Sequence, residues 1–145
     1  MEVRIKKLRA DAVVPTYGSE FSAGADLYAC EKTAVTIEPG KTVLVHTGLT
    51  FEIPEGFAGF IYARSGLATK KGLAPANKVG VIDADYRGEV MVSLHNHTNT
   101  PQSVEPGERV AQMVIAPFLK AQFTVAEELS DTVRGAGGFG STGRK

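Results

Sequence analysis

Short apolar runs separated by polar turns make up most of this chain. Residues 42–47 alternate between polar and apolar side chains, and 57–63 form an apolar run with the length of one strand. The Pro-Glu-Gly turn at 54–56 separates this run from another strand-like stretch at 48–53. No useful length of helical periodicity precedes residue 64, so the pattern predicts an all-β domain of short strands.

The remaining segments extend this prediction in both directions. A first, partly exposed strand is expected around Val3 and Ile5, and a long apolar strand is expected at 109–117. Residues 118–125 are expected to complete the β region. Residues 65–71 are the one segment expected to form a short helix.

The stretch 79–94 contains two β-rich runs, 79–82 and 90–94, on either side of a polar turn. Gly88 is a breaker in that turn, and the pattern predicts a β-hairpin. Aspartate and glycine are ordinary turn residues, which accounts for Asp85 and Gly88. Asp83 is less ordinary, because it follows an apolar strand and is expected to point into whatever the hairpin encloses.

Composition narrows the class of protein. The 145 residues fit one domain, and 16 basic against 16 acidic residues leave no net charge that would favour a nucleic-acid or membrane partner. The single Cys30 excludes a disulfide within the chain and argues against a zinc cluster, so His46, His95 and His97 are expected to be structural or solvated. The first residues lack the apolar segment of a signal peptide, and we expect a cytoplasmic protein.

Isolated polar residues each have an ordinary interpretation beside a functional one. Asp26 is the only charge in 22–30, where a strand-end aspartate bonded to neighbouring backbone is the ordinary case. Ser65 either caps the short helix or meets a phosphate at free backbone N–H groups, and Arg64 is either a surface ion pair or part of a site. Gln112 interrupts an apolar strand, as a satisfied core amide or as a ligand-facing group.

The last twelve residues, 134–145, differ in composition from the rest of the chain. They are rich in glycine and cannot form a packed core, so a frayed tail is the simplest interpretation. Arg134, Phe139 and Ser141 nevertheless lie within this glycine frame. Glycine allows backbone to approach phosphate closely, arginine can bind phosphate with two hydrogen bonds, and phenylalanine can stack on a base.

Five segments, in order along the chain, resemble the signature motifs of homotrimeric deoxyuridine triphosphate pyrophosphatases (dUTPases). The third is the run 80–88, Gly-Val-Ile-Asp-Ala-Asp-Tyr-Arg-Gly, and the fifth is the glycine-rich end. The other three are the segments 22–30, 64–68 and 109–117. The five together span residues 23–143, so the resemblance covers most of the chain.

The resemblance implies both a fold and a reaction. The fold would be a distorted jelly-roll-like β-barrel at 1–133, with a flexible arm at 134–145 that closes over the nucleotide in a homotrimer with shared active sites. The reaction would be hydrolysis of dUTP to dUMP and pyrophosphate, which keeps uracil out of DNA and supplies dUMP for dTMP synthesis. Asp83 would activate a water for in-line attack on the α-phosphorus, with Mg²⁺ as the cofactor.

The resemblance also implies roles for individual residues. Asp26 would hold the Mg²⁺ largely through water, which suits an ion that keeps several of its waters. Asn77 and nearby backbone would recognise uracil, and Tyr86 beneath the sugar would exclude a 2′-hydroxyl. The substrate-binding residues would be Arg64, Ser65, Gly66, Asn77, Gly80, Ile82, Tyr86, Gln112, Arg134, Gly138, Phe139 and Ser141.

Two other functions remain open from the sequence. The related dCTP deaminases share the implied fold and act on cytosine, but they lack this combination of Tyr86 with a glycine-rich arm that carries a phenylalanine. A nucleotide sensor without catalysis would be expected to lack Asp83 or the arm, and this chain has both.

Overall fold

The computed structural model describes residues 1–138. Within them the chain forms twelve short β-strands and one helix, α1, at Ser65–Lys71. The strands are β1 Arg4–Lys7, β2 Thr16–Tyr17, β3 Ala25–Tyr28, β4 Val35–Ile37, β5 Thr42–His46, β6 Leu49–Glu52, β7 Phe57–Tyr62, β8 Leu73–Pro75, β9 Gly80–Ile82, β10 Met91–Asn96, β11 Gln102–Val104 and β12 Arg109–Pro117. The prediction of an all-β domain with one short helix is confirmed.

The longest strand, β12, lies in the middle of a five-stranded antiparallel sheet with the order β2-β3-β12-β7-β9. The other strands form a three-stranded sheet, β5-β10-β8, and two pairs, β1-β6 and β4-β11. Within residues 1–138 these ladders do not join into one closed barrel. Antiparallel pairing throughout is typical of jelly-roll-like folds.

The core consists of inward-facing side chains that alternate along the short strands. In β10, Val92, Leu94 and Asn96 are buried and the residues between them are only partly covered. The Nδ2 of Asn96 donates to the carbonyl oxygens of Ile37 and Thr100 at 2.8 Å each. These bonds matter because an unpaired buried amide would cost about 1–3 kcal/mol. The largest fully buried apolar side chains are Leu27, Ile37, Leu49, Leu73, Leu94, Val45, Val90, Val92, Val104 and Val110.

The helix α1 has the bounds predicted from the sequence. Arg64 is its N-cap residue and makes no capping hydrogen bond with its side chain, so Ser65 is the first helical residue. The interpretation of Ser65 as the N-cap is therefore wrong. Gly72 ends the helix with a left-handed φ of 61°, and the buried Leu67 fixes the helix to the core. Among residues 1–138, no helix has both the length and the apolar character needed to cross a membrane.

The predicted hairpin between 79–82 and 90–94 is wrong. β9 pairs with β7, whereas β10 pairs with β5 and β8, so the two strands belong to different sheets. Residues 83–90 are therefore a connection between sheets and not a hairpin loop. Alternation along a strand identifies its buried face but not its neighbour, which is decided by the strand that completes the core beside it.

The prediction that 118–125 completes the β region is also wrong. Regular structure ends with β12, and residues 118–138 contain no helix or strand. An apolar run indicates that its side chains favour burial, but it does not indicate that they are buried by residues of the same chain. The largely exposed apolar residues of this segment are Leu119, Phe123, Val125, Leu129 and Val133.

Candidate active site

The large sheet brings residues that are distant in sequence into one pocket of about 550 Å³. β12 pairs Gln112 with Asp26 of β3 on one side and with Tyr62 of β7 on the other. The chain that follows β7 enters α1 beside this row of residues. We call this site the Asp26 pocket. The predicted site residues that line it are Asp26, Arg64, Ser65, Gly66 and Gln112.

Asp26 is buried, and both of its carboxylate oxygens accept hydrogen bonds from arginines. Arg64 Nε donates to Oδ1 at 2.7 Å, and Arg109 Nη1 donates to Oδ2 at 3.2 Å. Arg64 is therefore not an ordinary surface ion pair, because the carboxylate that it meets is 9% exposed. Two guanidinium groups against one carboxylate leave a positive charge in excess, which favours an anion in the pocket.

Arg109 is a pocket residue that was absent from the predicted substrate-binding set. It stands at the first position of β12, immediately before an apolar run. A charge at the end of a buried strand was the available signal. Its partner Asp26 lies 83 positions away, so only the strand register identifies the pair.

Gln112 is half-buried, and it fits both interpretations drawn from the sequence, a satisfied amide and a ligand-facing group. Its Nε2 donates to the carbonyl oxygen of Ala63 at 2.9 Å, and its side chain also lines the Asp26 pocket. Its Oε1 lies against Gly24, in the space that a Cβ atom would occupy there. Gly24 therefore admits Gln112 by having no side chain, and neither charge nor hydrophobic pattern could have indicated this role.

A second, smaller cavity of about 200 Å³ lies beside β9 and the connection that follows it. Three predicted site residues, Ile82, Asp83 and Tyr86, line it together. We call it the Asp83 cavity. The hydroxyl of Tyr86 donates to the carbonyl oxygen of Glu89 at 2.9 Å, and its ring covers Gly88, where a Cβ atom would overlap it. Tyr86 is thus held both at its hydroxyl and at its ring.

Asn77 lies on the turn before β9 and Gly80 is the first residue of β9, and both lie outside the Asp83 cavity. The Lys78 N–H donates to the Pro75 carbonyl at 3.0 Å, and Lys78 itself has a left-handed φ of 66°. A Cβ atom on Gly80 would lie 3.3 Å from Nδ2 of Asn77, so the glycine leaves room for this amide. A left-handed residue other than glycine costs about 1–2 kcal/mol, which the surrounding structure must offset.

The two pockets lie at opposite ends of the five-stranded sheet. Asp83 comes one residue after the partner of Gly59, so it is about level with Ala116, whereas Asp26 is level with Gln112. About four residues along β12 and three strand spacings separate the two carboxylates, which corresponds to a distance on the order of 20 Å. Within one chain, Asp83 therefore does not reach the Asp26 pocket.

The described part of the glycine-rich end is a local turn. Arg134 Nε donates to the Gly137 carbonyl at 2.7 Å, and the Gly137 N–H donates to the Arg134 carbonyl at 3.1 Å. Arg134 and Gly138 lie outside both pockets. Phe139 and Ser141, which were also predicted to bind substrate, lie outside the described residues.

A protein-family model described as dUTPase matches residues 10–143. The chain belongs to the dUTPase family. Two relatives named deoxyuridine 5′-triphosphate nucleotidohydrolase match it over their whole lengths. The Nautilia profundicola protein is 50% identical over 144 residues, which cover 99% of this chain and 100% of its own. The Acinetobacter baumannii protein is 48% identical over 150 residues and is covered in full, as is this chain.

Solved dUTPase structures have the same fold as this chain. The dUTPase of Staphylococcus bacteriophage 80alpha with dUPNHPP gives a TM-score of 0.89 at 28% identity and covers 98% of both chains. A mutant dUTPase of S. aureus phage phi11, described as revealing the coordination of a structural Mg(II) ion, gives a TM-score of 0.79 at 23% identity. It covers 88% of this chain and 98% of its own. The jelly-roll-like fold implied by the motifs is confirmed.

We predict that Gly24→Ala displaces the side chain of Gln112. The added methyl group would occupy the position of Oε1, so the bond to Ala63 would be lost or the strands would shift. The expected loss is about 1–3 kcal/mol in the free energy of unfolding. Gly18→Ala is the matched control, because a Cβ atom there comes near only the Ser22 hydroxyl, at 3.8 Å. Thermal unfolding at one protein concentration compares the variants, and wild-type stability in Gly24→Ala would contradict the packing described.

Proposed function

We propose that this chain hydrolyses dUTP to dUMP and pyrophosphate. The observation that carries the proposal is the full-length match to relatives named deoxyuridine 5′-triphosphate nucleotidohydrolase. A cavity that joins a carboxylate to a tyrosine beside an apolar strand end agrees with a nucleoside site. The reaction would keep uracil out of DNA and supply dUMP for dTMP synthesis.

Asp83 is the proposed general base. Its carboxylate is exposed on the wall of the Asp83 cavity, next to Ile82 and Tyr86. It would accept a proton from a water whose oxygen attacks the α-phosphorus in line with the leaving group. The bond from the α-phosphorus to the bridging oxygen breaks, and pyrophosphate departs with that oxygen. A base placed in this way contributes about 10²–10⁴-fold to the rate.

The Asp26 pocket is the proposed triphosphate site. Arg64 and Gln112 line it, and the positive charge in excess over Asp26 suits a polyanion. Ser65 and Gly66 open α1, where backbone N–H groups have no carbonyl partner within the helix. These N–H groups and the Ser65 hydroxyl would donate to phosphate oxygens.

Mg²⁺ is the proposed cofactor, held by Asp26 through water. Within residues 1–138, no three His, Cys, Asp or Glu side chains are grouped to hold a metal ion directly. Each Asp26 oxygen already accepts one bond from an arginine and keeps a lone pair that can accept from water. These acceptor oxygens therefore fit a hydrated ion, the form in which Mg²⁺ takes few carboxylate ligands. Bound there, Mg²⁺ would offset negative charge on the phosphates.

Uracil and deoxyribose are proposed to bind in and beside the Asp83 cavity. The Asn77 amide can both donate and accept, which matches one edge of uracil, whereas cytosine inverts one donor–acceptor pair. Gly80 and Ile82 supply backbone groups and an apolar wall at β9. Tyr86, held through its hydroxyl by the Glu89 carbonyl, would exclude a 2′-hydroxyl.

A homotrimer with shared active sites is proposed because one chain does not complete a site. Asp83 and Asp26 are on the order of 20 Å apart within the chain, too far to act on one α-phosphate. The exposed apolar segment also favours assembly, since Phe123 and Val125 are 95% and 99% exposed. Cyclic symmetry would place the Asp83 cavity of one chain beside the Asp26 pocket of the next.

The division into a domain at 1–133 and a closing arm at 134–145 is part of the same proposal. The described start of the arm is exposed, which leaves Arg134 accessible to a bound nucleotide. Arg134 would bind phosphate oxygens through its guanidinium group, and Gly138 would allow close backbone approach. Phe139 would stack on the base and Ser141 would contact phosphate.

The test of the function compares product release from dUTP, dCTP, dTTP and UTP, with Mg²⁺ and with a chelator. We expect strong preference for dUTP and a requirement for Mg²⁺, because each mispaired buried polar group costs about 1–3 kcal/mol. Comparable pyrophosphate release from dCTP would contradict the proposal. Ammonia release from dCTP would identify a deaminase, and binding without turnover would identify a sensor.

Asp83→Asn should lower kcat by about 10²–10⁴-fold and leave nucleotide affinity nearly unchanged, because the amide preserves the shape but cannot serve as the base. Asp85→Asn is the matched control, since Asp85 is exposed on the same connection and lies outside the Asp83 cavity. Turnover and equilibrium binding are measured for both variants. Near-normal kcat in Asp83→Asn would make Asp83 an ordinary turn residue.

Shared sites predict complementation between two inactive variants. Asp83→Asn chains would retain a good Asp26 pocket, and Arg64→Ala chains would retain a good Asp83 cavity. In every mixed trimer, one subunit interface brings an unaltered Asp26 pocket together with an unaltered Asp83 cavity. Random assembly of equal amounts makes about three quarters of the trimers mixed, with one intact site in three, so about a quarter of wild-type activity should return.

The complementation experiment unfolds the two variants together, refolds them and measures dUTP hydrolysis. Each variant refolded alone, with circular dichroism to establish folding, is the control. Mixed trimers that are detected by mass but have no recovered activity would place both half-sites within one chain.

A further inference from the structure

Glu89 is held at three points beside the Asp83 cavity. Its Oε2 is 2.9 Å from His46 Nδ1, and its Oε1 accepts the Gly48 N–H at 2.8 Å. Its carbonyl oxygen accepts the Tyr86 hydroxyl at 2.9 Å. Glu89 also lines the cavity with Asp83. One residue therefore connects the end of β5 to the tyrosine that is proposed to close on the sugar.

Gly48, whose N–H donates to Glu89, is closely packed against neighbouring side chains. Gly48 has a left-handed φ of 68°, and a Cβ atom on it would overlap Cys30 Sγ and Ala12 Cβ. Gly48 therefore permits this close packing by having no side chain, and its N–H donates to the Glu89 carboxylate. The Glu89 carboxylate is thus bonded to a backbone N–H and to an imidazole ring. Of these two partners, only His46 can gain or lose a charge.

His46 lies among charged groups from three other segments. Glu89 faces its ring, Glu31 accepts its backbone N–H at 2.8 Å, and Arg9 is nearby. The hydrogen bond with Glu89 raises the pKa of His46 above its usual value of about 6.5, and partial burial and Arg9 oppose this shift. Glu89 thus favours the charged form of the histidine.

We propose that His46 and Glu89 are a positioning pair that holds Tyr86 against the deoxyribose and sharpens discrimination between dUTP and UTP. The inference rests on the proposed dUTP hydrolysis. Both residues act through Tyr86: the ion pair fixes Glu89, and its carbonyl fixes the tyrosine hydroxyl. A looser Tyr86 would leave more room for a 2′-hydroxyl.

The attraction between His46 and Glu89 weakens as the pH rises. Protonated His46 attracts the Glu89 carboxylate, and neutral His46 does not carry that charge. The contribution is complete below about pH 6.5 and is lost as the pH rises through the raised pKa of His46. The side chains are 46% and 21% exposed, so solvent screens the pair and the effect on discrimination is about threefold.

The experiment measures the ratio of kcat/KM for dUTP to kcat/KM for UTP between about pH 6 and about pH 9. Titration of the triphosphate and of the uracil base affects both substrates alike and cancels in the ratio. The wild-type ratio should fall about threefold across this range. His46→Ala should have the low ratio throughout, and His46→Arg, which stays charged, should have the high ratio throughout.

Two further variants complete the design. His95→Ala is the matched control, because His95 lies on the neighbouring strand and bonds Thr42 instead of Glu89, so its profile should follow the wild type. Glu89→Gln should flatten the profile, and it serves as the second variant if His46→Ala does not fold. Inhibition constants of UMP and dUMP give the same comparison where UTP turnover is too slow to measure.

The outcomes separate this inference from the proposed function. A ratio that is equal in wild type, His46→Ala and Glu89→Gln at every pH overturns the positioning pair. An equal fall in turnover of both substrates with an unchanged ratio also overturns it, since that result identifies a purely structural role. Wild-type protein without dUTP hydrolysis overturns the proposed function itself.

Discussion

The pairing of β12 with β3 on one edge and β7 on the other determines the large sheet and the Asp26 pocket together. One row of this ladder places Asp26, Gln112 and Tyr62 side by side. Side chains in such a row point to the same face, so a shift of one residue would turn Gln112 away from the pocket. The contact between Gln112 and Gly24 depends on this register. The register then shifts between Arg109 and Ala111, and Arg109, which pairs with Tyr28, also reaches the Asp26 carboxylate.

The two pockets differ in how their charges are held. The Asp26 carboxylate is buried between two arginines, which replace the water that it gives up and leave a cationic surface. Asp83 lies exposed on a connection between sheets, where water remains available to it. A site assembled from the Asp26 pocket and the Asp83 cavity would combine a preorganised anion-binding site with a solvated general base. Each half can therefore keep the environment that its own chemistry needs.

The hydrophobic pattern of the sequence predicted the bounds of individual elements, but it did not predict which strands pair with one another. The bounds of α1 and β12 agree with those expected from the sequence. Gly72 follows the last residue of α1, and Pro117 is the last residue of the apolar strand β12. The hairpin failed because β9 and β10 each pair with a strand that is distant in sequence. The prediction for 118–125 failed because Leu119, Phe123 and Val125 are almost fully exposed within residues 1–138 and pair with no strand there.

The site shows the same division. Motif resemblance selected Ile82, Asp83 and Tyr86, and the structure brings them to one cavity. The substrate-binding set implied by the resemblance did not include Arg109, and the resemblance did not indicate that Gly24 leaves space for Gln112. These contacts depend on which strands are neighbours, and a single sequence does not contain that information in local form.

β12 is the last strand within residues 1–138, although it occupies the middle of its sheet. Asp26 and Arg109 are 83 positions apart, so during synthesis at about 5–20 residues per second β3 waits on the order of ten seconds for its neighbour. Throughout that interval β3 and β7 have open edges that other nascent chains can pair with. Such distant pairing also slows folding after release from the ribosome. A chain truncated before Arg109 would lack the strand that joins β3 to β7, so the Asp26 pocket is completed only after β12 has been synthesised.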